Sequence, residues 1–236
     1  VYMWKKEYDS AIKDFEEVKK CGYDLWEGKY IDFFKYENEK DKEMILPLQY
    51  DEASGYCDNI QLMVGSRDHY DCWTELIPSA DFVDYYRNAD GSEFKWSAYL
   101  TGWDNLTPAQ REVFFLRNNL TSNQSAYNDA KSRIGAEVMN KYYLTSGNEA
   151  RIKKAYESRD PRLQQTIITP YSSTNCYSPY WNSGEPMQNK VLRWPYLDRG
   201  GNNGDMWHNQ RNAGYYIYKK YNETEKGRYI ERLRCH

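Results

Sequence analysis

A mainly α-helical fold with minor β-structure, an α+β arrangement, is what this 236-residue sequence predicts. Three observations carry that expectation. Residues 9–20 place Ala11, Ile12, Phe15 and Val18 on one face at 3.6 residues per turn. Four later windows, 79–87, 108–118, 124–143 and 147–157, repeat a helical pattern between turn signals. From 164 to 236 the chain changes to short apolar runs between long stretches of Asn, Gly, Ser and Tyr, which reads as short strands and turns.

Taken in order, the first helix has Asp9 available to cap its first turn, Lys19 and Lys20 to suit its last, and Gly22 to end it. Its Tyr8-Asp9-x-Ala11 start and Ala11-x-x-x-Phe15 spacing look like the second helix of a tetratricopeptide unit. One such helix cannot bury its face alone. The expectation is a piece of a longer protein, or a helix that packs on segments outside this chain. Phe15, Phe33, Phe34 and Phe82 are assigned to core. Glu43–Tyr50 reads as an edge strand because of Pro47. Residues 51–78 read as loop. Ser79 caps the next helix, with Phe82, Val83 and Tyr86 on one face, and Asn88–Gly91 turns the chain. Thr107 and Pro108 open the helix at 108–118. The helix over 147–157 leads to Asp160-Pro161-Arg162, where Pro161 forces Asp160 out of helical geometry, and 164–169 follows as a strand. Arg162 is expected to staple this turn through a forked hydrogen bond. Two regions result: 1–35, the end of a helical scaffold, and 36–236, a loop-rich lobe.

Composition narrows the function. The chain has 24 Tyr and 8 Trp, so much of its apolar surface is aromatic with a polar handle. Against 35 acidic residues stand 32 Lys and Arg, a net charge of −3, so no whole-molecule attraction for phosphate backbones exists. No apolar run approaches the roughly 18–20 residues needed to span a bilayer. Five cysteines without a C-x-x-C pair suggest neither a zinc cage nor a dense disulfide scaffold; they leave room for a bridge without choosing its partners. His69, His208 and His236 are too scattered for a helix-borne metal motif. Asp198, Asn202, Asn203 and Asp205 crowd oxygen ligands as calcium would need, but lack the EF-hand spacing and its closing Glu. No cofactor is expected.

Several segments together resemble the SusD/RagB family, the surface glycan-binding lipoproteins of Bacteroidetes. They are Tyr8–Leu25, Glu43–Gln49, Trp73–Pro78, Phe82–Tyr86 with Asp90-Gly91, Arg159–Arg162, and Gly214-Tyr215 with Lys219. Each alone is weak; in this order and spacing they are specific. Two family features fall outside the match: the lipidated N-terminal cysteine, and an Ala/Glu-rich helix after the final basic strand. Arg228–Arg234 reads as the approach to that helix. The resemblance implies a lipoprotein at the outer face of the outer membrane, anchored by lipid outside this chain. There it would capture oligosaccharide and pass it to a SusC-like TonB-dependent transporter, without catalysis. RagB relatives leave peptide open as the ligand.

Sugars present C–H faces and hydroxyl rims, so a site pairs flat rings with Asn, Asp, Gln or Arg. Rings in polar, turn-rich loops are the candidates: Tyr70, Trp73, Trp103, Tyr177, Tyr180, Trp181 and Trp207, with Asn182 and Arg211 for the rim. The alternative is a glycoside-acting enzyme, which needs two carboxylates about 5–10 Å apart. With 35 acidic residues such pairs occur anyway, and no Gly-x-Ser-x-Gly, phosphate loop or His-Glu-x-x-His appears. A pure docking scaffold is the third reading.

Overall fold

Local capping chemistry decides where most elements begin. The computed structural model describes residues 1–34, 36–47, 76–177, 186–191, 193–195, 197, 217 and 218. Two units divide the chain, Val1–Tyr56 and Cys57–His236.

In the first unit, α1 (Tyr2–Lys5) ends at Lys6 and α2 (Tyr8–Lys20) follows. The Cys21 N–H donates to the Val18 carbonyl and Gly22 to that of Lys19, closing the helix where the sequence predicts. Ala11 is the buried residue of α2; Ile12 and Phe15 are exposed. Phe15 is therefore not core: its described helical neighbour in the unit, four-residue α1, is too short to cover a stripe over three turns long. Phe34 is also exposed, at the edge of a small aromatic knot with Phe33, Tyr30 and Trp26. The expected strand from Glu43 is a turn over its described part. The Asp41 carboxylate accepts from the Glu43 N–H and its carbonyl from Met44, which bends the chain. Leu48–Tyr50 lie outside the described residues.

The second unit opens with α3 (Ala80–Asp84), capped by the Ser79 hydroxyl on the Phe82 N–H at 3.1 Å. The short helix buries Val83 and leaves Phe82 exposed, against the core assignment. Thr107 and Gln110 form a reciprocal cap, Gln110 N–H to Thr107 Oγ1 and Thr107 N–H to Gln110 Oε1. The helix they open is 3₁₀ over Gln110–Phe115, not the longer helix expected. Its carbonyls go elsewhere. Fully buried Asn148 donates from Nδ2 to the carbonyls of Val113, Phe114 and Leu116.

The predicted helix over 124–143 is two: α4 (Gln124–Ile134), capped by Asn123, and α5 (Ala136–Tyr142). Gly135 divides them with φ 99, a conformation a Cβ disfavours. α6 (Asn148–Glu157) stands where expected. The next segment corrects the sequence reading. Asp160 caps, and Pro161 begins, α7 (Pro161–Thr166), so the strand expected over 164–169 shrinks to β1 (Ile167–Ile168). Pro at the first helical position starts a helix as readily as it ends one.

β2 (Ser173–Tyr177) and β3 (Pro186–Val191) form an antiparallel hairpin, with Ser173 opposite Val191 and an irregularity between Thr174 and Cys176. β4 (Ile217–Tyr218) pairs antiparallel with β1. The core of this unit is helical and aromatic: Val83, Phe94, Trp96, Phe114, Ile152 and Tyr156 are central to it. Among the described residues no helix is long and apolar enough to cross a membrane.

Candidate functional site

The Asp-Pro-Arg turn is built around an arginine the sequence reading passed over. The Arg159 side chain is fully buried. Its Nε donates to the Tyr86 carbonyl at 3.2 Å, and one terminal nitrogen donates to the carbonyls of Tyr86 and Val83. The guanidinium carbon lies 3.7 Å from the centroid of the Phe94 ring. Backbone bonds close the knot: Asp160 N–H to Arg87 carbonyl at 2.9 Å, and Ala89 N–H to Ser158 carbonyl at 3.0 Å. Arg162, by contrast, is exposed and forks onto the Asp160 carboxylate beside it. The staple is Arg159; α7 turns Arg162 outward. That Arg162 hydrogen bond is the main cause that holds the Asp160 carboxyl below the usual carboxylate value.

Asp84 completes the knot. Its Oδ1 lies 3.7 Å from Arg159, and its Oδ2 accepts from the Trp96 indole at 2.9 Å. Burial pushes its carboxyl up, and the Trp96 bond and the Arg159 charge only partly offset that. A second cation, half-buried Arg151, lies 4.7 Å from the Phe114 ring, and partial burial pulls it down to about 10.

From this knot the chain runs into the loop that carries Trp103. That ring is half-buried. It stacks on Trp96 with centroids 5.0 Å apart and planes at 24°, and the Arg111 guanidinium lies 4.8 Å from its centroid. Asp104 and Asn105, next in sequence, are exposed. Gly102 makes this approach to α5 achievable: with φ 89, a Cβ there would stand 2.4 Å from the Tyr142 ring. Of the other candidates, Tyr177 ends β2. Tyr70, Trp73, Tyr180, Trp181, Asn182, Trp207 and Arg211 lie outside the described residues, as does the Asp198–Asp205 segment. Among the described residues no group of three His, Cys, Asp or Glu could hold a metal.

One tryptophan matters that the sequence reading placed in no loop. Trp194 sits next to the open end of the β2–β3 hairpin and donates its indole N–H to Glu112 Oε1 at 3.0 Å. Its neighbours Arg193 and Pro195 give no motif by which to find it; the partner is 82 positions away.

No curated protein and no solved structure matches the chain. A family model does, over residues 25–232, which takes in the Asp84–Arg159 knot, the Trp103 loop and the hairpin: the chain belongs to the SusD family.

Proposed function

We propose that this chain captures oligosaccharide at the cell surface and delivers it to a SusC-like TonB-dependent transporter in the outer membrane. SusD family members bind glycans or other nutrients at the cell surface, as binding proteins rather than catalysts, and the family match over 25–232 is the observation that carries the reading. A chain with 24 Tyr and 8 Trp is well supplied with flat amphipathic rings for that task. In this reading the lobe from 36 to 236 binds the sugar, and the segment from 1 to 35 is the end of a tetratricopeptide-like scaffold. Tyr70, Trp73, Trp103, Tyr177, Tyr180, Trp181 and Trp207 supply the rings; Asn182 and Arg211 supply the rim contacts. The whole protein is held at the outer face of the membrane by a lipid.

Trp103 plays a particular part. Trp96 and Arg111 lie against its half-buried ring, and Asp104 and Asn105, next in sequence, are exposed polar groups suited to a sugar's rim. Affinity per site is modest, because ligand and protein both lose water.

A glycan array with the full chain tests the reading. Trp73→Ala and Trp181→Ala are each expected to weaken the best hit about tenfold, roughly 1.4 kcal/mol. Retention of a short peptide instead of any glycan would move the ligand class to the RagB type. Shortened glycan products would overturn the non-catalytic reading.

A further inference from the structure

Three cations lie over three rings that touch in series. The Trp103 and Phe114 centroids are 5.7 Å apart, and those of Phe114 and Tyr142 are 5.8 Å apart. The Arg111 guanidinium lies 4.8 Å from the Trp103 centroid, the Arg151 guanidinium 4.7 Å from that of Phe114, and the Lys141 ammonium 5.2 Å from that of Tyr142. The cations come from three elements: the 3₁₀ segment Gln110–Phe115, α6, and the last turn of α5.

None of the three is neutralised. Arg133, Arg162 and Arg193 each meet a carboxylate. Among the described residues no carboxylate pairs with Arg111, Lys141 or Arg151. Arg111 donates from Nε to the Trp103 carbonyl at 3.1 Å, and its two terminal nitrogens make no hydrogen bond to the described residues. Arg151 donates from one terminal nitrogen to the Tyr142 carbonyl at 2.8 Å and to Asn148. Burial lowers its value, with no neighbouring carboxylate to offset the shift. A ring face attracts a cation less than a forked carboxylate does. Half-buried guanidinium groups without a counter-ion have lost water and gained no ionic partner for it. The cluster is therefore complementary to an anion.

We propose that Arg111, supported by Lys141 and Arg151, makes the Trp103 site selective for a carboxylated sugar, a uronic acid within an oligosaccharide. This rests on the carbohydrate-binding reading above and names the class of sugar. The Arg111 fork takes the carboxylate through two parallel N–H···O bonds. Exposed Asp104 and Asn105 bond to hydroxyls of the same sugar. Lys141 and Arg151 add positive potential around the fork.

Calorimetry at pH 7 on the full chain tests this with tetragalacturonate, its methyl ester and tetraglutamate. The ester keeps the sugar and removes the charge. The acid is expected to bind about tenfold tighter than the ester. Added salt should erode that preference and leave the ester unaffected. Arg111→Gln should abolish the preference while ester affinity stays unchanged; Arg111→Lys keeps the charge, loses the fork and should fall between. Lys141→Gln, at an exposed side chain, should weaken the acid alone. Lys153→Gln removes the same unit of charge where Lys153 pairs with Glu157, and should change neither ligand. Equal loss of acid and ester in Arg111→Gln overturns the proposal, because Arg111 would then only support the ring. Equal affinity of wild type for acid and ester overturns it as well, whether or not any variant folds, and leaves the functional reading standing. Tetraglutamate bound as tightly as tetragalacturonate overturns the assignment to a sugar. A chain that binds no sugar, acidic or neutral, overturns both the proposal and the reading beneath it.

Discussion

The Trp96 indole N–H and the Asp84 carboxylate, 2.9 Å apart, join the end of α3 to the aromatic core across the turn at Asn88–Gly91. Trp96 itself contacts Trp103, Phe115 and Tyr156, so the bond couples a half-buried acid to the middle of the ring cluster. Arg159 reaches the same acid from the other side. The knot thus fastens residues 83–96 to the start of α7, and it fixes the frame in which the Trp103 loop stands.

Arg159 and Arg162 flank the same Asp-Pro step and are expected to differ sharply on substitution. Arg159→Ala leaves the Val83 and Tyr86 carbonyls without their buried donor and takes the neighbouring charge from half-exposed Asp84, a loss of about 1–3 kcal/mol. Arg162→Ala removes an exposed pair worth about 0–1 kcal/mol. Urea unfolding of the two variants checks this; equal midpoints would return the staple to Arg162. Arg162→Ala should also move the acid limb of stability. Asp160 has a depressed folded value, so its contribution is present above 3.8 and is lost as pH falls through that lower value. Without Arg162 that contribution shrinks, so the variant loses less stability than wild type as pH falls below 3.8.

Asp84 carries the opposite sign. Its folded value is raised above 3.8, so the folded chain binds more protons than the unfolded one. The resulting stability is fully present below 3.8 and is lost as pH rises through the folded value. Asp84→Asn keeps an acceptor for Trp96 and does not titrate. The variant should therefore gain on wild type as pH rises from about 3 to about 7. Thermal melts across that range test the sign, and a difference that shrinks with pH would refute it.

Asn148 is the polar residue on which the Gln110–Phe115 segment depends. Asn148→Leu would leave the carbonyls of Val113, Phe114 and Leu116 without this donor, at a cost of about 1–3 kcal/mol. Amide exchange should then rise between 113 and 117 before it rises elsewhere in the unit.

Gly102 and Gly135 separate conformation from space. Both have positive φ, but a Cβ at Gly135 meets nothing within 4 Å. Gly135→Ala should cost about 1–3 kcal/mol from backbone geometry alone, since φ 99, ψ 140 lies in a region essentially reserved for glycine. Gly102→Ala adds a contact with the Tyr142 ring at 2.4 Å and should cost more. A smaller loss at Gly102 would mean that Tyr142 moves aside freely.

Local chemistry made several elements legible. The Ser79 and Thr107 caps, the helix of α2 and that of α6 need only neighbours within a turn, and the structure has them where the sequence puts them. The family was legible for a related reason, since ordered short segments survive as patterns along the chain. What failed were decisions between equal local options. Nothing within a few residues of Asp160-Pro161 says whether proline stops a helix or starts one, or which flanking arginine turns inward.

The candidate site shows the same division. Residue type told which rings suit a sugar, because a flat apolar face with a polar edge belongs to the side chain itself. Contact decided that Trp103 lies against Trp96 and Arg111, and that Glu112 meets Trp194 across 82 positions. Sequence alone determined composition, caps and helical periodicity, which are properties of one residue or one turn. Tertiary structure alone decided which arginine is buried, where Phe15 and Phe82 face, and what holds the hairpin. Those depend on the free energy of packing segments that are distant along the chain, and no local pattern records it.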